Sequence, residues 1–249
     1  LKEAESIYTN LFLESPSNTK YFLALKALLK NRSDYKSQLT YSEKYSLAKS
    51  GDLLAELEVL EAQILLNIED SWAITLDRIL KTNLNNQGSV ISIVNRLISL
   101  QRIDLSKKII KQYRNSSNNK YFYSLQLSNF LNMEMSYLDS AQELLLYLDS
   151  SPKQIGLISD RFMSFPSEKE LNNQIENMLY DSDVTGSKKI LSDYYLKQKK
   201  YDKSYSLLKD LNNPEYIFNF VNDIVLLDEN KRAISILKEL IDSNSNILV

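Results

Sequence analysis

The chain has 249 residues, 43% hydrophobic and 25% charged, with a net charge of −2, the composition of a folded protein that is neither disordered nor collagen-like. It has no Cys and no His, which excludes disulfides, thiolate nucleophiles, zinc–cysteine sites and the commonest general base and metal ligand. Four Gly and four Pro, against the roughly 30 that average usage would supply, exclude a sandwich or barrel built on many tight hairpins.

The chain enters mid-pattern at Leu1-Lys2-Glu3-Ala4, where Ala4, Tyr8 and Leu11 read as the second helix of a unit whose first helix lies upstream. It is therefore expected to be a fragment of a longer protein. Turn signals follow at Ser15-Pro16-Ser17-Asn18, Ser50-Gly51-Asp52, Asn85 to Gly88, Asn115 to Asn119, Ser150-Ser151-Pro152, Ser182 to Gly186 and Asn212-Asn213-Pro214. Weaker signals at Asn31 to Asp34, Glu69-Asp70-Ser71 and Lys199 to Asp202 split the intervals, so each holds two helices. Apolar residues between the signals recur at three and four, and no stretch alternates with period two, so the prediction is all-α with about fifteen helices. The longest apolar runs, such as Ile224 to Leu227, fall far short of the ~18 residues that a membrane span needs. The excess of Lys over Arg and the many Asn, Ile and Tyr point to an AT-rich, bacterial genome.

One template fits these intervals. Ala4, Ser37, Ala73, Ser106, Ser140, Ser204 and Ala233 are small residues on successive second helices, with Leu171 filling the gap before Ser204. Nine residues before the anchors stand Leu28, Ile64, Leu97, Leu131, Phe162, Tyr195 and Ile224, and thirteen before them Ala24, Leu60, Ile93, Leu127, Ile158, Leu191 and Phe220. Chance would fill both columns with apolar residues with a probability on the order of 10⁻⁵. The period, with the local patterns Ala4-x3-Tyr8-x2-Leu11, Leu191-x3-Tyr195-x5-Tyr201-x2-Ser204-x3-Leu208 and Ser140-x3-Leu144-x2-Tyr147, resembles the tetratricopeptide repeat family. The resemblance covers the whole chain as about seven and a half degenerate units. It departs from the family where Gly is common, at Leu25, Glu61, Val94, Ser128, Ser159, Ser192 and Val221. Ordering 34 residues costs roughly 50 kcal/mol and so needs about 2,000 Å² of apolar burial, more than a lone hairpin provides. Hairpins must stack, and the expectation is one continuous right-handed α-solenoid over residues 1–249, its first helices lining a groove. The Ser164-Phe165-Pro166-Ser167 turn beside Leu171 is the expected irregularity.

No phosphate loop, nucleophile motif or metal-spaced cluster appears, so no catalytic residue, cofactor or metal is expected. Glu56, Glu58 and Glu61 read as a solvated helix face, Trp72 as packing, and Tyr8, Tyr147 and Tyr195 as core, with Tyr121, Tyr123 and Tyr194 undetermined. Basic clusters at Lys107-Lys108-Lys111 and Lys197 to Lys203 would need to join into one stripe to hold nucleic acid, and an isoelectric point near 5.5 weighs against it.

Register places Lys26, Glu58, Asn95, Gln126, Asn129, Lys189, Asp193, Asn219 and Asn222 towards the groove. The resemblance also implies a test for the clamp with which some tetratricopeptide domains hold a C-terminal carboxylate. Asn95, Gln126 and Lys153 fall near its positions, but Ile91 and Leu157 stand where it would ask for basic groups. The function expected is a non-catalytic scaffold that holds a protein partner's peptide or helix, with self-association through uncapped ends. The alternatives are an RNA-binding helical repeat, or the accessory superhelix of an enzyme whose catalytic domain lies elsewhere.

Overall fold

The computed structural model describes residues 2–245, and among these no strand occurs. The chain divides between Tyr123 and Ser124 into two compact units. The first holds α1 (Lys2–Glu14), α2 (Thr19–Asn31), α3 (Tyr35–Ala48), α4 (Leu53–Leu65), α5 (Glu69–Asn83), α6 (Gln87–Ser99) and α7 (Ile103–Ser117). The second holds α8 (Ser124–Met133), α9 (Tyr137–Ser150), α10 (Ile155–Ser164), α11 (Lys169–Asp181), α12 (Ser187–Lys197), α13 (Tyr201–Asp210), α14 (Pro214–Leu226) and α15 (Asn230–Ser245). Within each unit consecutive helices pack on their neighbours, an all-α helical-repeat architecture.

The turn residues act as caps. The side chains of Asn18, Asp34, Asp52, Asn86 and Asn213 accept backbone N–H groups at the starts of α2, α3, α4, α6 and α14, where the first turn has no helical acceptor. First helices end in a shared way. Ser33, Asn67, Gln101 and Met135 succeed one another every 34 residues with φ between 56° and 59°, and Lys199 and Asp228 repeat the geometry. Each donates its N–H to the carbonyl three residues back, and the next residue donates to the carbonyl five back: Asp34 to Leu29, Ile68 to Gln63, Arg102 to Leu97, Ser136 to Leu131, Lys200 to Tyr195 and Glu229 to Ile224, at 2.8–3.1 Å. This is the left-handed C-terminal cap for which glycine is usual, formed here by non-glycine residues at a cost of roughly 1–2 kcal/mol each. The scarcity of glycine therefore does not mean a scarcity of tight turns. Glu69-Asp70-Ser71, expected as a turn, is the first turn of α5; the turn is at Asn67.

These caps correct the register expected in the first unit. Ser106, Ser140, Ser204 and Ala233 each lie five residues after the left-handed position, and there they are buried. The same slot holds Gln38 and Trp72, not Ser37 and Ala73; Gln38 is buried and Ala73 is exposed. In α2 the buried pair is accordingly Leu25 and Leu29, while Ala24 and Leu28 are half-buried. Selecting for small residues misled because this slot in α3 and α5 is not small. Elsewhere both first-helix columns are buried, apart from the half-buried Tyr195.

In the first unit Phe12, Phe22, Leu25, Leu29, Tyr45 and Ala55 form one cluster, with the rings of Phe22 and Tyr45 stacked 4.1 Å apart. In the second, Phe162, Ile175, Leu179, Leu191 and Tyr194 anchor a larger cluster, and Leu208, Phe220, Ile224 and Ala233 a third. Tyr194 is core, its hydroxyl donating to Asn172 Oδ1 at 2.7 Å, and Tyr123 is buried as well. Tyr8, Tyr147 and Tyr195 are half-buried against these clusters. The α10–α11 connection is irregular: Phe165 is extended ahead of Pro166 and no left-handed cap forms. Here α10 packs on α12, and α11 packs on α9 and α12. Gly186, at φ 93°, caps the start of α12 in the left-handed conformation that favours glycine, and a Cβ there would need the terminal methyl of Ile155, 2.7 Å away, to move aside.

Candidate functional site

In the second unit α10, α12 and α14 line a cavity of about 550 Å³. The face of α10 supplies Gly156, Ser159, Asp160 and Met163, that of α12 Lys189, Asp193, Leu196 and Lys197, and that of α14 Asn219 and Asp223, with Lys199 and Leu227 just beyond the helix ends. These spacings of three and four keep each set on one helix face, while Ile158 and Phe162, Leu191 and Tyr194, and Phe220 and Ile224 bury the other.

Two of the cavity's charges are neutralised internally. Lys189 Nζ donates to Asp193 Oδ1 at 2.5 Å and lies 5.5 Å from the centre of the Tyr216 ring, and Ser159 Oγ donates to Asp193 Oδ2 at 2.6 Å. Lys197 Nζ donates to the Phe165 carbonyl at 2.6 Å, and burial depresses its pKa. Burial first, and the nearby charge of Asp193 second, hold the Asp223 carboxyl above its ordinary range, with Lys189 pulling the other way. Among the described residues no group of His, Cys, Asp or Glu gathers to hold a metal.

Three of the predicted groove residues, Lys189, Asp193 and Asn219, line this cavity. Asn222 and Gln126 are exposed, and Asn222 is outside the lining. Asn129 Oδ1 accepts from the Arg161 guanidinium, and the Oδ1 of exposed Asn95 accepts from the Tyr123 hydroxyl, so both amide oxygens already have partners within the chain. Sequence reasoning missed Gly156, Asp160 and Asp223. Asp160 stands eleven before Leu171, where the groove spacing could have found it; Asp223 is ten before Ala233, just outside that spacing.

Lys26 and Glu58 belong to a different cluster in the first unit, and here the reading of a solvated carboxylate face is corrected. Glu58 is 6% exposed and Glu61 3%. Lys26 Nζ bonds to Glu58 and, at 2.9 Å, to Glu61; Lys30 Nζ reaches Glu61 at 3.0 Å; Arg96 Nη2 reaches Glu58 at 2.9 Å and Nη1 bonds to Glu61. The cations come from α2 and α6 on either side of α4, which is buried almost all round from Leu57 to Ile64. Burial pushes the Glu61 carboxyl up, but the hydrogen bond and charge of Lys26, the charge of Arg96 and the hydrogen bond of Lys30 outweigh it and hold the pKa below its usual value. Glu56 alone fits the expectation of an outward carboxylate, paired with exposed Arg78 at 2.7 Å. Both buried carboxylates of this network are paired with cations.

No protein-family model and no curated protein matches this chain. No helix among the described residues is long and apolar enough to cross a membrane.

Proposed function

We propose that this is a non-catalytic interaction scaffold, similar to tetratricopeptide repeats, whose second unit holds a segment of a partner polypeptide in the groove of α10, α12 and α14. The observation that carries the reading is the groove itself, a cavity of about 550 Å³ shared by three first helices and lined by both charged and apolar groups. Its volume is within the roughly 300–1,000 Å³ of ligand clefts, and its mixed lining suits a peptide better than a polyanion. The 34-residue succession of helix caps supports the resemblance. Self-association is part of the reading, supported by exposed Phe218, Leu226 and Ile234 on α14 and α15.

Gly156 gives the test. It lies on the groove face of α10, and a Cβ there would have nothing within 4 Å. Gly156→Trp should fill the groove and leave folding intact, since replacing a helical glycine is neutral to stabilising by about 0.5–1 kcal/mol. Immobilised wild-type protein, given nuclease-treated lysate of its source cell, should retain polypeptides that Gly156→Trp releases. Retention of the same polypeptides by both, or of nucleic acid alone from untreated lysate, contradicts the reading.

A further inference from the structure

We propose that the groove, taken as the peptide site described above, selects a segment carrying a lysine or arginine side chain beside an apolar one. The cation would lie against Asp160 and Asp223, and the apolar residue on Met163, Leu196 and Leu227. The inference rests on the peptide reading and adds the chemistry of the occupant.

Three successive first helices each present one aspartate to the cavity, and only the middle one is satisfied. Asp193 takes both Ser159 and Lys189. Asp160 and Asp223 make no ion pair and no side-chain hydrogen bond among the described residues. None of the three lysines of the lining forms an ion pair with them: Lys189 pairs with Asp193, Lys197 donates to the Phe165 carbonyl, and Lys199 lies just beyond the end of α12. The groove therefore carries, on α10 and α14, two aspartates that have no ion-pair partner among the described residues. Burial and Asp193 disfavour the charged form of the Asp223 carboxyl more than Lys189 favours it, so an incoming cation would relieve the remaining repulsion. An acidic segment would add to it. Met163 and Leu196 are half-exposed and Leu227 is exposed, offering apolar area one helical turn further along the same three helices.

The test uses the full chain and an oriented library of nonapeptides in which the central residue is fixed in turn as each amino acid and the flanks are random. The wild-type protein should retain the Arg and Lys pools about five-fold over the Asp and Glu pools, with Leu, Ile, Met or Phe enriched beside the centre. Asp160→Asn/Asp223→Asn should lose that factor of about five, the sum of two partly exposed ion pairs. Asp160→Lys, at an exposed position, should reduce the basic pools further and supplies a second variant should the double one fold poorly. Retention without a basic preference, or a preference that survives these changes, overturns this inference while leaving the peptide reading in place. If no pool is retained above background, or Gly156→Trp retains as much as the wild type, the peptide reading itself fails.

Discussion

Ser204 is fully buried where α12 and α13 cross, its Oγ 2.8 Å from Ser192 Oγ and 2.9 Å from the Ser192 carbonyl. Ser140 makes the equivalent contact between α8 and α9, donating to the Ser128 carbonyl at 2.8 Å. At these crossings a small side chain lets two backbones approach, and its hydroxyl satisfies a carbonyl at the contact. Ser204→Ala should cost about 1 kcal/mol, the lost hydrogen bonds alone. Ser204→Leu should cost about 2–3 kcal/mol by overpacking. Urea melts of the two variants check this; an equal cost for both would mean that size is not the constraint at the crossing. That Ser204 and Ser140 were small was legible in the sequence, as was the lack of the usual glycine at Ser128 and Ser192. That the serines bond each other was not, because a hydroxyl's partner is set by the crossing and not by the residue.

At the scale of helices, the buried network joining α2, α4 and α6 sets a pH dependence. Glu61 has its pKa held below the ordinary 4.5 in the folded protein, so its contribution to stability is fully present above about pH 4.5 and is lost as pH falls through the lower folded value. Urea midpoints measured from pH 7 down to pH 3 should fall more steeply for wild type than for Glu61→Gln, and the two curves should converge towards the acid end. Parallel curves would show that the carboxyl is not held in its ionised form. A signal for this network existed in the sequence: Lys26, Glu61 and Arg96 recur about one repeat apart, so they occupy like positions on successive first helices. Reading Glu56, Glu58 and Glu61 along one helix hid it, because the neutralising groups come from other helices. The register slip in the first unit has a related origin. With Val59 to Ile64 all buried, Glu61 and Gln63 among them, α4 has no exposed stripe there to mark which columns face inward.

Across the whole chain, helical class, hairpin period and the position of the irregular turn were all readable, because they depend on apolar spacing and on residues such as Pro166 that act locally. The groove was readable in part: Lys189, Asp193 and Asn219 followed from register, but which side chains stay without an ion-pair partner depends on how the helices pack. The left-handed caps lead further. Loops normally trade their amide hydrogens for deuterium quickly, yet the amides of Asp34, Ile68, Arg102, Ser136, Lys200 and Glu229 are each bonded to a carbonyl five residues back. Native-state exchange followed by NMR should therefore find slow amides inside the connections, recurring about every 34 residues, with a break in the series at the Phe165–Pro166 connection, which lacks this cap. Uniformly fast exchange at all six would deny that the caps persist in solution. The period of the protein should thus appear as a rhythm of protected protons in segments that a sequence marks as loops.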